Sequence, residues 1–188
     1  MLTDRDLAEI CAETYTATPT WQVGDIAALR VERPDGLVVA LRGTEPDNFR
    51  DWLRDFDAVP MPRIGLGVVH QGFLDGATAI FPFLPPNIPI ILTGHSMGGA
   101  LAILLAGMRR QKIMPCTRLV TFGAARTGGD MLRDALDRLP ITQYRHGDDP
   151  VPFVPTYFQN MTALTDIGEP SLDPIADHLI DGYVRALA

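Results

Sequence analysis

The sequence is poor in the residues that mark several common functional classes. Lys112 is the single lysine among 16 basic residues, and the 23 Asp and Glu residues give a net charge of −7. Proteins that bind nucleic acids neutralise phosphates with clustered Lys and Arg, so we expect no nucleic-acid partner. No apolar run approaches the length that crosses a membrane, so we expect no transmembrane segment.

Cysteine is scarce as well. Cys11 and Cys116 both lie among apolar neighbours, which is typical of small buried residues in a reducing compartment rather than of a disulfide. The first residues, Met1–Asp6, contain neither a basic leader nor an apolar signal core. We therefore expect a cytoplasmic protein, or a secreted one if a leader has been removed. The predominance of arginine over lysine is associated with GC-rich bacterial sources.

The rest of the composition is that of an ordinary globular protein. With 188 residues, 46% hydrophobic and 21% charged, the chain fits one domain spanning residues 1–188. Its patterns predict a helix over 3–15, a β-hairpin around the turn at 34–36, and a closing helix over 175–188. Between these, strands and helices alternate, which predicts a mainly parallel sheet with helices on both faces.

One stretch points to chemistry. Gly94-His95-Ser96-Met97-Gly98 lies between a β-branched run at 88–93 and an Ala/Leu-rich run at 99–106, which is a G-x-S-x-G elbow between a strand and a helix. Such a turn holds its serine in a strained backbone conformation, and its packing leaves no room for side chains at the two glycines. A phosphate-binding turn is the alternative, but the G-K-[ST] pattern is missing. We interpret Ser96 as a nucleophile.

A serine hydroxyl needs a base, and histidine suits that role near neutral pH. In an α/β-hydrolase the chain order is Ser, then Asp or Glu, then His. Of the four histidines, His95 lies inside the elbow and has a structural role, and His70 and His146 do not fit the order. His178 lies downstream of all acid candidates and is our predicted base.

The predicted base needs a carboxylate to orient it. The candidates are Asp148, Asp149, Asp173 and Asp177. The first two directly follow a predicted strand, at the sheet edge where active sites of such folds collect. Pro150 restricts the backbone of Asp149, which fixes the direction of its carboxylate. Asp149 is preferred, and Asp148 is the main alternative.

The oxyanion formed on attack needs preorganised donors. The backbone N–H of Met97, the residue after the nucleophile, is one. Thr44, which ends an early predicted strand as Arg42-Gly43-Thr44, is the predicted second, with an ordinary turn threonine as the alternative. No metal-binding motif is visible, and we expect neither metal nor cofactor.

Residues 48–56 form a short amphipathic pattern. Phe49, Trp52, Leu53 and Phe56 recur at helical spacing, with charged residues on the other face. This candidate lid is either a helix docked on the core or a mobile flap over the active site.

Taken together, these motifs resemble those of the class 3 lipases, the family of the fungal triacylglycerol lipases and their bacterial relatives. The resemblance covers roughly residues 38–183 and is carried by these segments: Leu41–Thr44, Asn48–Asp55, Val69–Phe73, Gly94–Ala100, Asp149–Pro155, and Asp177-His178 followed by Tyr183. It places Asp149 ahead of Asp148 and supports Thr44 as an oxyanion donor. The sequence departs from the family at Ala125, where proline is usual, and in lacking the leader and disulfides of secreted members.

The resemblance implies an α/β-hydrolase that cleaves carboxylic esters, either acylglycerols or short- to medium-chain esters. Its partner is then a small-molecule or lipid ester, with at most transient contact with a lipid interface. The same residues also serve phospholipases A1 and feruloyl-type esterases. An alternative of another class is a catalytically silent binding module with this fold. Nothing in the sequence predicts the oligomeric state.

Overall fold

The protein is described by a computed structural model that covers residues 2–34, 36–44 and 59–188. The strands are β1 Trp21–Val23, β2 Ile26–Arg33, β3 Gly36–Leu41, β4 Pro60–Arg63, β5 Gly67–His70, β6 Ile90–His95, β7 Cys116–Phe122, β8 Ile141–His146 and β9 Leu164–Ile167. The α-helices are α1 Asp4–Glu13, α2 Gln71–Ile80, α3 Met97–Gln111, α4 Asp130–Ala135, α5 Pro174–Asp177 and α6 Ile180–Ala186. The candidate lid residues Phe49, Trp52, Leu53 and Phe56 lie outside the described residues.

The centre of the fold is a seven-stranded sheet in the order β1-β2-β3-β6-β7-β8-β9. The first three strands are antiparallel neighbours. From β3 to β9 every neighbouring pair is parallel. This confirms the predicted mainly parallel sheet and the hairpin around residues 34–36. Because parallel strands end at the same edge, the loops after β3, β6, β7 and β8 meet there.

Helices cover both faces of the sheet. The Thr3 side chain caps α1, which begins one residue later and buries Leu7, Ile10 and Cys11. Helices α1 and α6 pack against each other on one face of the sheet, where they form one apolar cluster with it. Helices α2 and α3 contribute to the larger cluster on the opposite face. Both cysteines are free thiols, with Cys11 buried and Cys116 half-buried.

The strand–elbow–helix unit β6–α3 runs through the middle of this core. Every residue of β6 is buried, and α3 is buried along most of its length. A Cβ added at Gly94 would lie 2.4 Å from the Gly98 backbone, and one added at Gly98 would lie 2.1 Å from the Leu41 carbonyl oxygen. These distances confirm that both elbow glycines must lack side chains.

Two features of the structure lie outside the elements predicted above. Pro60 and Pro62 lie in β4, which pairs with β5 in a two-stranded sheet. Proline is tolerated there because an edge strand has backbone positions that need no ladder hydrogen bond. The predicted closing helix is two helices, α5 and α6, separated at His178 and Leu179. Within the described ranges, no helix combines the length and apolarity needed to cross a membrane.

Candidate active site

The elbow holds Ser96 in the strained conformation that the motif predicts. Ser96 has φ 57° and ψ −128° and stands at the N-terminus of α3. Its backbone N–H donates to the Phe122 carbonyl at 2.9 Å. The hydroxyl is buried, and it forms no hydrogen bond with the part of the chain that the structure describes. A positive φ at a residue other than glycine costs free energy, which the surrounding packing of the elbow must offset.

Asp149 and His178 are brought together by the loops after β8 and β9. The His178 Nδ1 lies 2.8 Å from Asp149 Oδ2, and both residues are almost fully buried. The other carboxylate oxygen of Asp149 accepts the Val151 N–H at 2.8 Å. Gly123, with φ +56°, makes room for the pair, because a Cβ there would lie 2.6 Å from Asp149 Oδ2.

Tyr183 is a third partner in this group. Its hydroxyl donates to Asp149 Oδ2 at 2.5 Å. Burial, together with the negative charge of Asp149, raises the pKa of Tyr183 well above its usual value, so the phenol remains a donor. Sequence reasoning noted Tyr183 only within the family motif. Its position five residues after His178, within the predicted closing helix, was the available signal.

The other acid candidates have different partners. Asp148 is exposed and forms an ion pair with Arg145 at 3.1 Å. Asp173 is exposed and caps α5 through the Ile175 N–H. Asp177 is buried, and its carboxylate accepts the backbone N–H of Asp148 at 2.9 Å. Of the four, Asp149 is the one whose carboxylate contacts the His178 ring.

Asp177 nevertheless has a perturbed pKa. Burial alone would raise it, but hydrogen bonds from the backbones of Asp148 and Ser171 dominate and lower the pKa below its usual value. The carboxylate thus joins the loop after β8 to the loop that precedes α5, a structural role.

Thr44 lies next to Met97, the elbow residue that follows Ser96. Met97 is the first residue of α3, and the Thr44 hydroxyl lies 3.9 Å from the Met97 sulfur. Thr44 also lines a cavity of about 310 Å³, whose other lining residues are Ala12, Tyr15, Thr16, His95, His178, Leu179, Ile180 and Asp181. Among residues 2–34, 36–44 and 59–188, no group of three His, Cys, Asp or Glu side chains has the arrangement of a metal site.

A family model described as Lipase (class 3) matches residues 38–159. The chain belongs to the class 3 lipase family. It is 33% identical over 138 residues to the secreted mono- and diacylglycerol lipase 1 of Fusarium solani, covering 63% of this chain and 39% of that relative. It is 27% identical over 143 residues to the secreted mono- and diacylglycerol lipase 3 of Gibberella zeae, covering 64% of this chain and 45% of that relative. The chain thus spans less than half the length of either relative.

Solved structures of fungal lipases show the same fold. The triacylglyceride lipase of Rhizomucor miehei superposes with a TM-score of 0.68 at 20% identity, covering 86% of this chain and 77% of that one. A crystal structure described as a fungal lipase gives a TM-score of 0.70 at 18% identity, covering 93% and 81%. These likenesses confirm the predicted α/β-hydrolase fold.

The relatives do not support two of our expectations. Both are fungal proteins, so they give no support to a bacterial source for this chain. Both are named as secreted, so a cytoplasmic location is not supported either. Arginine content reflects nucleotide composition rather than the physics of the protein, which is why it was a weak guide.

Proposed function

We propose that this class 3 lipase chain hydrolyses carboxylic esters, acylglycerols or short- to medium-chain esters, through an acyl-enzyme on Ser96. In this proposal His178 is the general base and Asp149 orients it. One observation carries the proposal: a buried aspartate–histidine pair lies at the sheet edge that also presents a serine in a strained elbow. The three residues follow one another in the chain order of α/β-hydrolases.

The first half-reaction forms the acyl-enzyme. His178 Nε2 takes the proton of the Ser96 hydroxyl while the serine oxygen attacks the ester carbonyl. Asp149 holds the opposite ring nitrogen and stabilises the imidazolium. The negative charge on the former carbonyl oxygen is met by the N–H of Met97 and by Thr44, and by the N-terminus of α3. When the tetrahedral intermediate collapses, His178 returns the proton to the departing alcohol oxygen.

The second half-reaction releases the acid. His178 removes a proton from a water molecule, whose oxygen attacks the acyl carbonyl on Ser96. The same donors stabilise the second tetrahedral intermediate. Its collapse breaks the bond to the serine oxygen, which takes the proton back from His178. The carboxylic acid leaves, and the enzyme returns to its starting state without a cofactor.

The surroundings of the site favour uncharged esters. Asp181 lines the cavity that Thr44 and His178 also line. With a net charge of −7, the protein repels an anionic head group close to the reacting carbonyl. We therefore expect neutral acylglycerols to be better substrates than anionic phospholipids.

Apolar side chains on the loops at the same edge are suited to transient contact with lipid. Leu172 is fully exposed, and Leu179, next to His178, is 43% exposed. Tyr157, in the loop after Asp149, is 69% exposed. Because the acidic protein gains no electrostatic attraction to anionic membranes, such contact would depend on this apolar area.

The test uses the fact that the chain contains only two serines, Ser96 and Ser171. A fluorophosphonate probe is expected to label the wild-type protein and Ser171→Ala, but not Ser96→Ala. Wild-type protein that resists the probe and hydrolyses no ester would instead be a silent binding module. A panel of p-nitrophenyl esters from acetate to palmitate, with triglyceride, phospholipid and feruloyl ester, then identifies the substrate. Faster hydrolysis of phospholipid or feruloyl ester would replace the acylglycerol assignment.

A further inference from the structure

His95, the elbow residue before Ser96, contacts the backbone of the proposed base. Its Nε2 lies 2.7 Å from the His178 carbonyl oxygen, and its Nδ1 lies 2.7 Å from the Tyr15 hydroxyl. The rings of His95 and His178 are 4.6 Å apart, centroid to centroid. His95 is buried, with 5% of its surface exposed.

These two contacts determine the tautomer of His95. A carbonyl oxygen can only accept a hydrogen bond, so Nε2 must carry a proton and donate it. Burial, and then the neighbouring charge of His178, lower the pKa of His95 well below its usual value, so the ring is neutral and Nδ1 bears no proton. Nδ1 therefore accepts, and the Tyr15 hydroxyl donates. Each partner favours the same tautomer.

The contact with His95 falls where the chain leaves a helix. The His178 N–H still donates to the Ile175 carbonyl within α5 at 3.1 Å. Leu179 then adopts an extended conformation as the N-cap of α6. The His178 carbonyl is directed to His95, so the backbone of His178 is attached to the residue adjacent to Ser96.

Tyr15 also touches the loop that leads to Thr44. A Cβ added at Gly43 would lie 2.5 Å from the Tyr15 hydroxyl and 2.8 Å from the His95 carbonyl oxygen. The end of helix α1, the loop before Thr44, the elbow and the segment of His178 therefore meet at the Tyr15–His95 pair.

We propose that His95 is a positioning residue that ties the backbone of His178 to the elbow, and that Tyr15 holds His95 in the tautomer this requires. The proposal rests on the proposed function, since it concerns the placement of that function's base. Without the Tyr15 donor, a proton can move to Nδ1, and the Nε2 lone pair then faces the His178 carbonyl. The repulsion displaces the base from Ser96 while its bond with Asp149 persists.

The first test compares Tyr15→Phe with Tyr144→Phe. Each variant removes one tyrosine hydroxyl; that of Tyr144 donates to Asp4 at 2.6 Å, away from the elbow. Loss of one net hydrogen bond corresponds to about a fivefold change. We expect Tyr15→Phe to lower kcat and the rate of fluorophosphonate labelling by about that factor with little change in KM, and Tyr144→Phe to leave both rates unchanged.

The second test replaces His95 itself. Gln can present an N–H donor near the position of Nε2, whereas Leu fills similar space without one. His95→Gln is expected to label clearly faster than His95→Leu. Nitrogen NMR of the imidazoles, with His95 assigned by its absence from His95→Gln, should show the proton on Nε2 in the wild type and a mixture of tautomers in Tyr15→Phe.

The outcomes distinguish this proposal from the proposed function on which it rests. Wild-type protein that does not react with the probe would refute the proposed function, and the NMR result would then still test the tautomer. If the wild type is labelled, an unchanged rate in Tyr15→Phe, or equal slowing in Tyr15→Phe and Tyr144→Phe, would overturn the role of Tyr15. Equal labelling of His95→Gln and His95→Leu would overturn the tie to His178.

Discussion

Replacing Asp149 by Asn changes one atom in the buried group that holds His178. In the wild type, one carboxylate oxygen receives the His178 Nδ1–H and the Tyr183 hydroxyl, and the other receives the Val151 N–H at 2.8 Å. An amide supplies only one oxygen and one NH₂ group to these two positions. One of the two sides must therefore lose its acceptor.

The structure indicates which orientation the amide takes. If the amide oxygen faces His178, the NH₂ group faces the Val151 N–H. That buried backbone donor is then unpaired, at a cost of about 1–3 kcal/mol. With its NH₂ toward His178, the oxygen accepts from Val151, and His178 moves its proton to Nε2 and accepts at Nδ1. All three contacts then persist, because the Tyr183 hydroxyl can rotate. We expect this second orientation, which turns the proposed base into the wrong tautomer.

The expected result is a fall in kcat of about ten-thousand-fold for Asp149→Asn, or about 5.5 kcal/mol of transition-state stabilisation. The matched control is Asp148→Asn, which breaks an exposed ion pair with Arg145 and should change kcat less than threefold, since such pairs contribute about 0–1 kcal/mol. Turnover of p-nitrophenyl butyrate measures both, with thermal unfolding to show that each variant is folded. An Asp149→Asn variant within tenfold of the wild type, or the reverse ranking, would refute the reasoning.

Three further outcomes are expected. Ser96→Ala should lower kcat about a million-fold if the three residues act as a unit, measured against the Ser171→Ala control; residual turnover within a hundredfold of that control would exclude Ser96 as nucleophile. Thr44→Ala should lower kcat about a hundredfold with KM unchanged, because its donor acts on the developing oxyanion; Thr44→Ser should restore most of the rate, and an Ala variant at full kcat would leave Thr44 as a backbone contact. The pKa of His95 is lowered in the folded protein, so below about pH 6.5 the unfolded chain binds a proton that the folded protein does not. The free energy of unfolding therefore falls by up to about 1.4 kcal/mol for each unit by which the pH decreases. Above about pH 6.5 this effect is absent. Urea unfolding of His95→Gln should show a smaller dependence in this window, and an identical dependence would contradict the assignment.

Much of the candidate site could be predicted because its demands are local. The elbow needs two glycines at fixed spacing around a serine, between an apolar strand and an apolar helix, and all of these lie within about twenty residues of sequence. The chain order of nucleophile, acid and base follows from the order of the strands in the sheet. Ser96 and His178 could therefore be named before any contact was known.

The choice between Asp148 and Asp149 could not be made from neighbouring residues alone. The two aspartates are adjacent, and both follow β8. What separates them is burial: Asp149 lies under the Tyr183 hydroxyl and against Gly123, while Asp148 reaches solvent and Arg145. The partners that bury Asp149, Tyr183 and Gly123, lie far from it in the chain, so the local pattern carries no information about them. The family resemblance favoured Asp149, and its contact with the His178 ring supports that choice.

The break in the closing helix illustrates the same limit. Residues 175–188 have the composition of one continuous helix, and nothing in their spacing predicts an extended Leu179. At the break the carbonyl of His178 contacts Nε2 of His95, 83 positions earlier in the chain. Without this carbonyl, the buried Nε2–H donor of His95 would lack an acceptor, at a cost of about 1–3 kcal/mol. In our proposal the elbow therefore helps to position the backbone of the residue that activates its serine.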